Sequence, residues 1–237
     1  MIKTIKQNMT LFALFLLSIM ATTSYAAFDV GTQTATLENG IYQSGYLEPE
    51  VYAKLAEVKL PSGRITHRWV SPLVIKESYH AALVKDVVFY PKMEPNPQVS
   101  VETLKEVQAY LTQALKDRLA KRIEIVDQAG SGVMEVQLAI TGVIVKTEGM
   151  KAYEVVPVAA VFGALKAVTG NRNKEIAIQV EIKIVDSETR DLLIAVVRDF
   201  KGEDVVDPDK KLQLEDFKAN LDQLVQDGEQ SVDQVIK

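Results

Sequence analysis

The 237-residue chain contains no cysteine. That absence excludes disulfide bonds, thiol nucleophiles, cysteine-ligated zinc and a lipid-modified cysteine, so stability has to come from a hydrophobic core. Histidine is almost as scarce: only His67 and His80 could serve as general bases near neutral pH. His67 alternates with Ile65 and Trp69, and His80 follows Tyr79 where a loop meets a strand. Neither has a companion at metal-ligand spacing, so both are expected to be structural. Excess positive charge is missing too. With 27 Lys and Arg against 32 Asp and Glu, the formal net charge is −5, which argues against a nucleic-acid partner. The one basic cluster, Lys116, Arg118, Lys121 and Arg122, ends a predicted helix and complements its dipole. There is no histidine pair at helical spacing, no phosphate-cradling glycine loop and no nucleophile elbow. Gly130-Ser131-Gly132 reads as a turn. No cofactor or metal is expected.

What the chain does have begins with an address. Lys3 and Lys6 precede an apolar stretch from Leu11 to Leu17 that continues through Ile19 and Met20, and small residues follow up to Ser24-Tyr25-Ala26. This is the three-part layout of a secretory signal, with an apolar segment too short to anchor in a bilayer. Signal removal needs small side chains at the last and third-last positions, which Ala26 and Ser24 supply. Cleavage is therefore expected between Ala26 and Ala27, releasing a periplasmic protein with no lipid anchor. Three parts are expected: a signal peptide over 1–26, an irregular N-terminal arm over 27–80, and an α+β domain over 81–237.

Within the arm, Pro49 opens a short helix with Tyr52, Leu55 and Ala56 as its apolar side, and Ile65, His67 and Trp69 mark a short strand. Leu83 to Tyr90 reads as a strand stopped by Pro91. Ser100 caps a helix whose apolar positions are Leu104, Val107, Leu111, Ala114, Leu115 and Leu119. Ile123 to Val126 forms another strand. Two long strands then alternate cleanly. Met134, Val136, Leu138 and Ile140 oppose Glu135, Gln137, Ala139 and Thr141; Ile176, Ile178, Val180, Ile182 and Ile184 oppose Glu175, Ala177, Gln179, Glu181 and Lys183. A period of two predicts one buried and one solvated face. Leu192 to Val197 returns after a polar turn, and a last helix carries Leu214, Phe217, Leu221, Leu224, Val225 and Val232. The expected fold is α+β, a two-layer sandwich of a mostly antiparallel sheet with two amphipathic helices covering one face.

Several short segments fall in one order at fitting distances: Ser44-Gly45-Tyr46-Leu47, Ala109-Tyr110-Leu111-Thr112, Leu138-Ala139-Ile140-Thr141, Thr169-Gly170-Asn171-Arg172, and Glu181 followed by Asp186-Ser187-Glu188-Thr189. Together they resemble a bacterial envelope family of unknown function, most of whose members are described as lipoproteins. The likeness runs from about Gly45 to the final helix. It implies a secreted α+β domain and supplies no active-site residues to transfer. Two departures have consequences. The lipidated cysteine common in the family is absent, and Arg190 stands where the family tends to have glycine, so the turn after Thr189 is expected to use a different backbone geometry.

Two features remain as functional candidates. Glu135 and Glu181 project from strands that could be neighbours, and paired carboxylates can do acid–base work when a cleft separates their pKa values; Asp186 with Glu188 is the other such pair. With Gln137, Gln179 and Lys183 around them, Glu135 and Glu181 are expected to lie on an ordinary wet sheet face. The second candidate is the apolar insert at 155–168, placed between the two long strands. Val155, Val158, Val161, Phe162, Leu165 and Val168 are its large apolar residues. It is either a buried connection or a docking element for an envelope protein, a second copy of the chain or a membrane surface. The expected function is a non-catalytic interaction or accessory module of the envelope. The alternatives are a hydrolase acting through paired carboxylates and a carrier of an apolar ligand.

Overall fold

One strand organises the molecule. In the computed structural model, which describes residues 41–60, 63–72, 74, 78–93, 100–147, 153–157, 174–201, 211 and 213–236, the first alternating segment forms a 15-residue strand over Val133–Thr147. The elements in chain order are α1 (Pro49–Tyr52), β1 (Ala56–Lys59), β2 (Ile65–Val70), β3 (Ala81–Val84), β4 (Val88–Phe89), α2 (Val101–Leu119), β5 (Glu124–Ile125), β6 (Val133–Thr147), β7 (Tyr153–Pro157), β8 (Lys174–Asp186), β9 (Leu192–Lys201) and α3 (Glu215–Ile236). The strands form one sheet in the order β1-β2-β9-β8-β6-β3-β5, with β4 and β7 also paired to β6. Both sides of β6 are thus occupied: β8 along one side, and β3, β4 and β7 in succession along the other.

The sheet is mixed, with parallel pairs that the sequence pattern did not indicate. The β6–β8, β8–β9, β9–β2, β2–β1 and β6–β7 pairs are antiparallel, whereas β3 and β4 run parallel to β6, and β3 parallel to β5. The reason is α2. A helix crossing between strands returns the chain to the same end of the sheet, and only parallel pairing suits that path. The single strand expected over 83–90 is broken at Lys85–Val87. There the backbone leaves the ladder: Val87 N–H donates to Thr112 Oγ1 (2.9 Å), and Val87 C=O accepts from Gln108 Nε2 (2.8 Å). The expected boundary at residue 81 falls inside the sheet, since β1 and β2 precede it. Arg190 adopts φ 68°, the left-handed geometry that glycine favours, so the turn expected to change shape keeps a glycine-like backbone.

The helical face of the sheet holds the core. Leu104, Val107 and Leu111 of α2 and Leu221, Leu224 and Val225 of α3 meet Leu138, Ile140, Val180 and Phe200. A second cluster continues this face through Val84, Met134, Val136, Ile184, Ile194 and Val196. Ser100 caps α2 as its sequence implies, accepting from Thr103 N–H at 3.1 Å. The alternation of β6 ends at a bulge between Ile140 and Gly142, which gives the strand one extra residue, Thr141, and lets it run on to Thr147. Leu111 is fully buried at the centre of the core while Ile65, at the start of β2, is 52% exposed. Leu111→Ala is therefore expected to lower the urea-unfolding free energy by about 2–5 kcal/mol, and Ile65→Ala to change it by less than about 0.5 kcal/mol.

Candidate functional site

The face left bare by the helices is crossed by the chain from Ile41 to Leu60. Ile41, Leu47, Val51 and Tyr52 pack on Ala195 and Val197 of β9. Beside them β8 presents Gln179 and Glu181, both fully buried. The expected wet face is therefore sealed over this half, because an arm with its own apolar residues needed a surface to cover. Its polar groups are matched one by one. Tyr52 Oη donates to Glu181 Oε2 at 2.6 Å and accepts from Gly45 N–H at 3.1 Å and Leu47 N–H at 3.4 Å, with Ser44 Oγ 3.3 Å away. The Gln179 side-chain amide pairs with Tyr42 as a neighbouring strand would. It accepts from Tyr42 N–H at 3.2 Å and donates to Tyr42 C=O at 2.8 Å, and its Nε2 also reaches Thr141 Oγ1 and Glu181 Oε1. Gly45 has φ +86°, which lets the arm turn sharply around the Tyr52 hydroxyl.

Glu135 occupies the same face but a different setting. Arg190 holds it in a bidentate pair, Nη1 to Oε2 at 2.7 Å and Nη2 to Oε1 at 3.2 Å, and Gln137 Nε2 donates to Oε1 at 2.6 Å. Glu135 is also buried, so neither carboxyl lies on a wet face. Nor do they converge. Glu181 is in register with Ala139, four residues along β6 from Glu135, a separation of roughly 13 Å at the strand rise. Asp186 is engaged by its own turn. Its Oδ1 accepts from Glu188 N–H and Thr189 N–H, both at 2.9 Å, and its Oδ2 accepts from Tyr79 Oη at 2.9 Å. Ser187 Oγ clamps both backbone groups of Gly130 at 3.1 Å.

The histidines are placed as packing residues. His67 is half-buried in β2 opposite Glu57 and Val197; burial lowers its pKa and Glu57 opposes that shift. The His80 ring lies so close to Gly132 (φ +70°) that a Cβ there would sit 2.4 Å from Nδ1. Among the insert residues, Val155 belongs to β7 in register with Ile144. Val158, Val161, Phe162, Leu165 and Val168 lie outside the described residues, as do Ala26 and Ala27. The basic cluster ends α2, with Lys116 and Arg118 in its last turn, and Arg118 and Lys121 border an open groove of about 360 Å³ between α2 and α3, also lined by Asp117 and Asp222. No group of three or more metal-ligating side chains and no helix long and apolar enough to cross a membrane occurs among the described residues.

The family described as protein of unknown function DUF3313 matches residues 42–227. The chain belongs to the DUF3313 family. It is 30% identical over 185 residues to the uncharacterized lipoprotein YdcL of Escherichia coli, covering 78% of this chain and 82% of that one. Among solved structures, a PelC dodecamer from Paraburkholderia phytofirmans aligns at 7% identity and a TM-score of 0.31, covering 68% of this chain and 96% of that one. A neuraminyllactose-binding hemagglutinin homolog from Helicobacter pylori aligns at 12% identity and a TM-score of 0.32, covering 70% of this chain and 92% of that one. Likenesses of that size carry no argument. Of the DUF3313-like segments, Ser44-Gly45-Tyr46-Leu47, Thr141 and Glu181 meet at the Tyr52–Gln179 cluster, which Tyr52 itself did not announce in the sequence. The available signal was the arm's run of Ile41, Leu47, Val51 and Tyr52, apolar groups that have to cover something.

Burial, reinforced by Glu181, raises the Tyr52 pKa well above its ordinary value and pushes Tyr46 up to about 12, so both hydroxyls remain donors at neutral pH. Tyr52→Phe leaves Glu181 Oε2 and two arm N–H groups without their partner and is expected to cost about 2–3 kcal/mol in urea unfolding. Adding Glu181→Leu is expected to recover part of that loss, because removing both polar partners is less costly than orphaning one. Acid should weaken the fold through Glu135 and Asp186. The Arg190 hydrogen bonds hold Glu135 below its ordinary 4.5, and the Thr189 N–H chiefly holds Asp186 below 3.8. Both folded pKa values are depressed, so their contribution is complete above those ordinary values and is lost as pH falls through the folded ones. Urea midpoints at pH 6 and pH 3 are expected to show this loss, and Glu135→Gln to reduce it.

Proposed function

We propose that this DUF3313 member is a non-catalytic accessory module of the bacterial envelope, with its apolar insert as the contact and its sheet and helices serving as a two-layer frame. The observation that carries this reading is the state of its carboxyl groups. Glu181 is spent on holding the arm, Glu135 on Arg190, and Asp186 on its own turn. None of these pairs converges on a common cleft, as acid–base chemistry between two carboxyls requires. A carrier of an apolar ligand would need an apolar cavity, and the groove between α2 and α3 has charged walls. The relative's description as a lipoprotein supports an envelope location. Here the leader over 1–26 would deliver the chain to the periplasm by cleavage between Ala26 and Ala27, and without a cysteine the chain would act unlipidated.

The contact is assigned to 155–168 for a physical reason. Val155 enters it from β7, already hydrogen-bonded to β6, so the frame can support an apolar surface offered to an envelope protein, a second copy or a bilayer surface. Val161→Asp places a charge in that segment. The fold is expected to survive, with a melting temperature within about 3 °C of the parent, since surface substitutions change stability little. Association with envelope partners or membranes, measured by co-purification and vesicle flotation, is expected to be lost. Unfolding by this substitution would assign the insert to the core and overturn the reading.

A further inference from the structure

β1 ends the sheet, and no strand among the described residues lies beyond it. Ala56, Glu57 and Lys59 are exposed there and Val58 is half-buried. The pairing with β2 decides which backbone groups face outwards. Leu60 N–H donates to Arg64 C=O at 2.8 Å, and on the far side of β2 Ser71 N–H donates to Leu193 C=O at 2.7 Å. Antiparallel ladders alternate residue by residue. Val58, in register with Thr66, therefore turns its amide and carbonyl towards β2, while Glu57 and Lys59 turn theirs to the open edge. The side chains alternate as well. Glu57 is in register with His67, and His67 with Val197, so Glu57 and Lys59 lie on the arm's face and Val58 on the helical one.

We propose that β1 is a self-association edge, to which β1 of a second copy of this chain adds as an antiparallel strand about a two-fold axis at Val58. Charge selects both the occupant and its register. A charged edge strand, one with lysine above all, ordinarily repels a newcomer. Among antiparallel registers, Glu57 against Glu57 sets two acids face to face, and Lys59 against Lys59 sets two bases. The two-fold at Val58 instead places Glu57 of each copy opposite Lys59 of the other. Those are the residues whose backbone groups point outwards, so each pair can exchange both N–H···O bonds while its side chains attract. On the helical face Val58 meets its own copy as a non-hydrogen-bonded pair, with Cα atoms about 4.5 Å apart. The complementarity is that of Glu57-Val58-Lys59 with its own reverse, as an isologous contact requires.

Sedimentation velocity of the chain at rising concentration tests this, and a monomer–dimer equilibrium is expected. Glu57→Lys and Lys59→Glu should each weaken the dimer at least about tenfold, because the contact occurs twice and both pairs become like-charged. Combining the two substitutions restores opposite charges and should restore the parent's dimer affinity. Both positions are exposed, so each variant should melt like the parent. Lys59→Glu leaves Glu57 beside His67, so it reads out association even where Glu57→Lys disturbs β2. A chain that stays monomeric up to about 1 mM, single substitutions without effect, or a double variant that stays monomeric would overturn the proposal. A β1 edge reserved for a different protein's strand would give the first of these results. Val161→Asp should leave the dimer intact, so failure here and failure of the insert reading are separately visible. A dimer lost in Val161→Asp but kept in Glu57→Lys would place the contact at the insert and overturn the edge pairing.

Discussion

The hydrogen bond from Tyr52 to Glu181 determines what covers the second face of the sheet. A carboxyl group with no access to water has to find donors inside the protein, since leaving it unmatched costs several kcal/mol. Glu181 finds Tyr52 Oη and Gln179 Nε2, and both belong to the arm's docking geometry. The apolar contacts of Ile41, Leu47 and Val51 supply the larger energy, roughly 1.5–3 kcal/mol for each side chain buried. They do not fix where the arm lies. The hydrogen bonds contribute only about 1 kcal/mol each on balance, but they are directional. A shift of one residue would orphan Glu181 Oε2, the Gln179 side-chain carbonyl and two arm N–H groups at once. Burial holds the arm down and polar matching sets its register.

The same logic explains what could be read from the chain and what could not. Alternation in 133–141 and 175–184 reports which side chains avoid water, so the helical face and its residues were legible residue by residue, as were the Ser100 cap and the stripe of α2. Alternation is silent on what covers the polar side. Gln179 and Glu181 read as solvated because nothing local distinguishes a polar residue facing water from one facing Tyr42 and Tyr52, which lie 137 and 129 positions away in the chain. Strand direction was hidden for a related reason. It follows from the crossing of α2, a property of the path and not of any strand's composition. The break at Lys85–Val87 depends on Thr112 and Gln108 offering Val87 alternative hydrogen bonds, a tertiary override of a good strand pattern.

One face thus carries two treatments of similar side chains. Under the arm, glutamine, glutamate and tyrosine are matched to one another out of reach of solvent, which is a structural use. Beyond the arm's edge Glu135 is still buried but is matched by Arg190, and only Gln137 beside it is half-exposed. The difference is cover, not composition. This is also why paired carboxyls make a poor case for catalysis here: both are buried, Glu181 is held by the arm and Glu135 by arginine, and the strand rise keeps them apart.

Arg190 sharpens the distinction. Its φ of 68° costs a non-glycine residue on the order of 1 kcal/mol, a cost glycine would avoid. Its guanidinium is 53% exposed, but the Glu135 side chain it holds is only 9% exposed, so losing the arginine would orphan a buried carboxylate, which costs more than an exposed pair contributes. Matching a buried carboxylate outweighs the backbone cost, which is a structural reason for arginine at this position. What arginine supplies is a guanidinium held in fixed geometry against Glu135, with Gln137 donating to the same carboxylate. A strained turn is kept where it orients the partner of a buried carboxyl group.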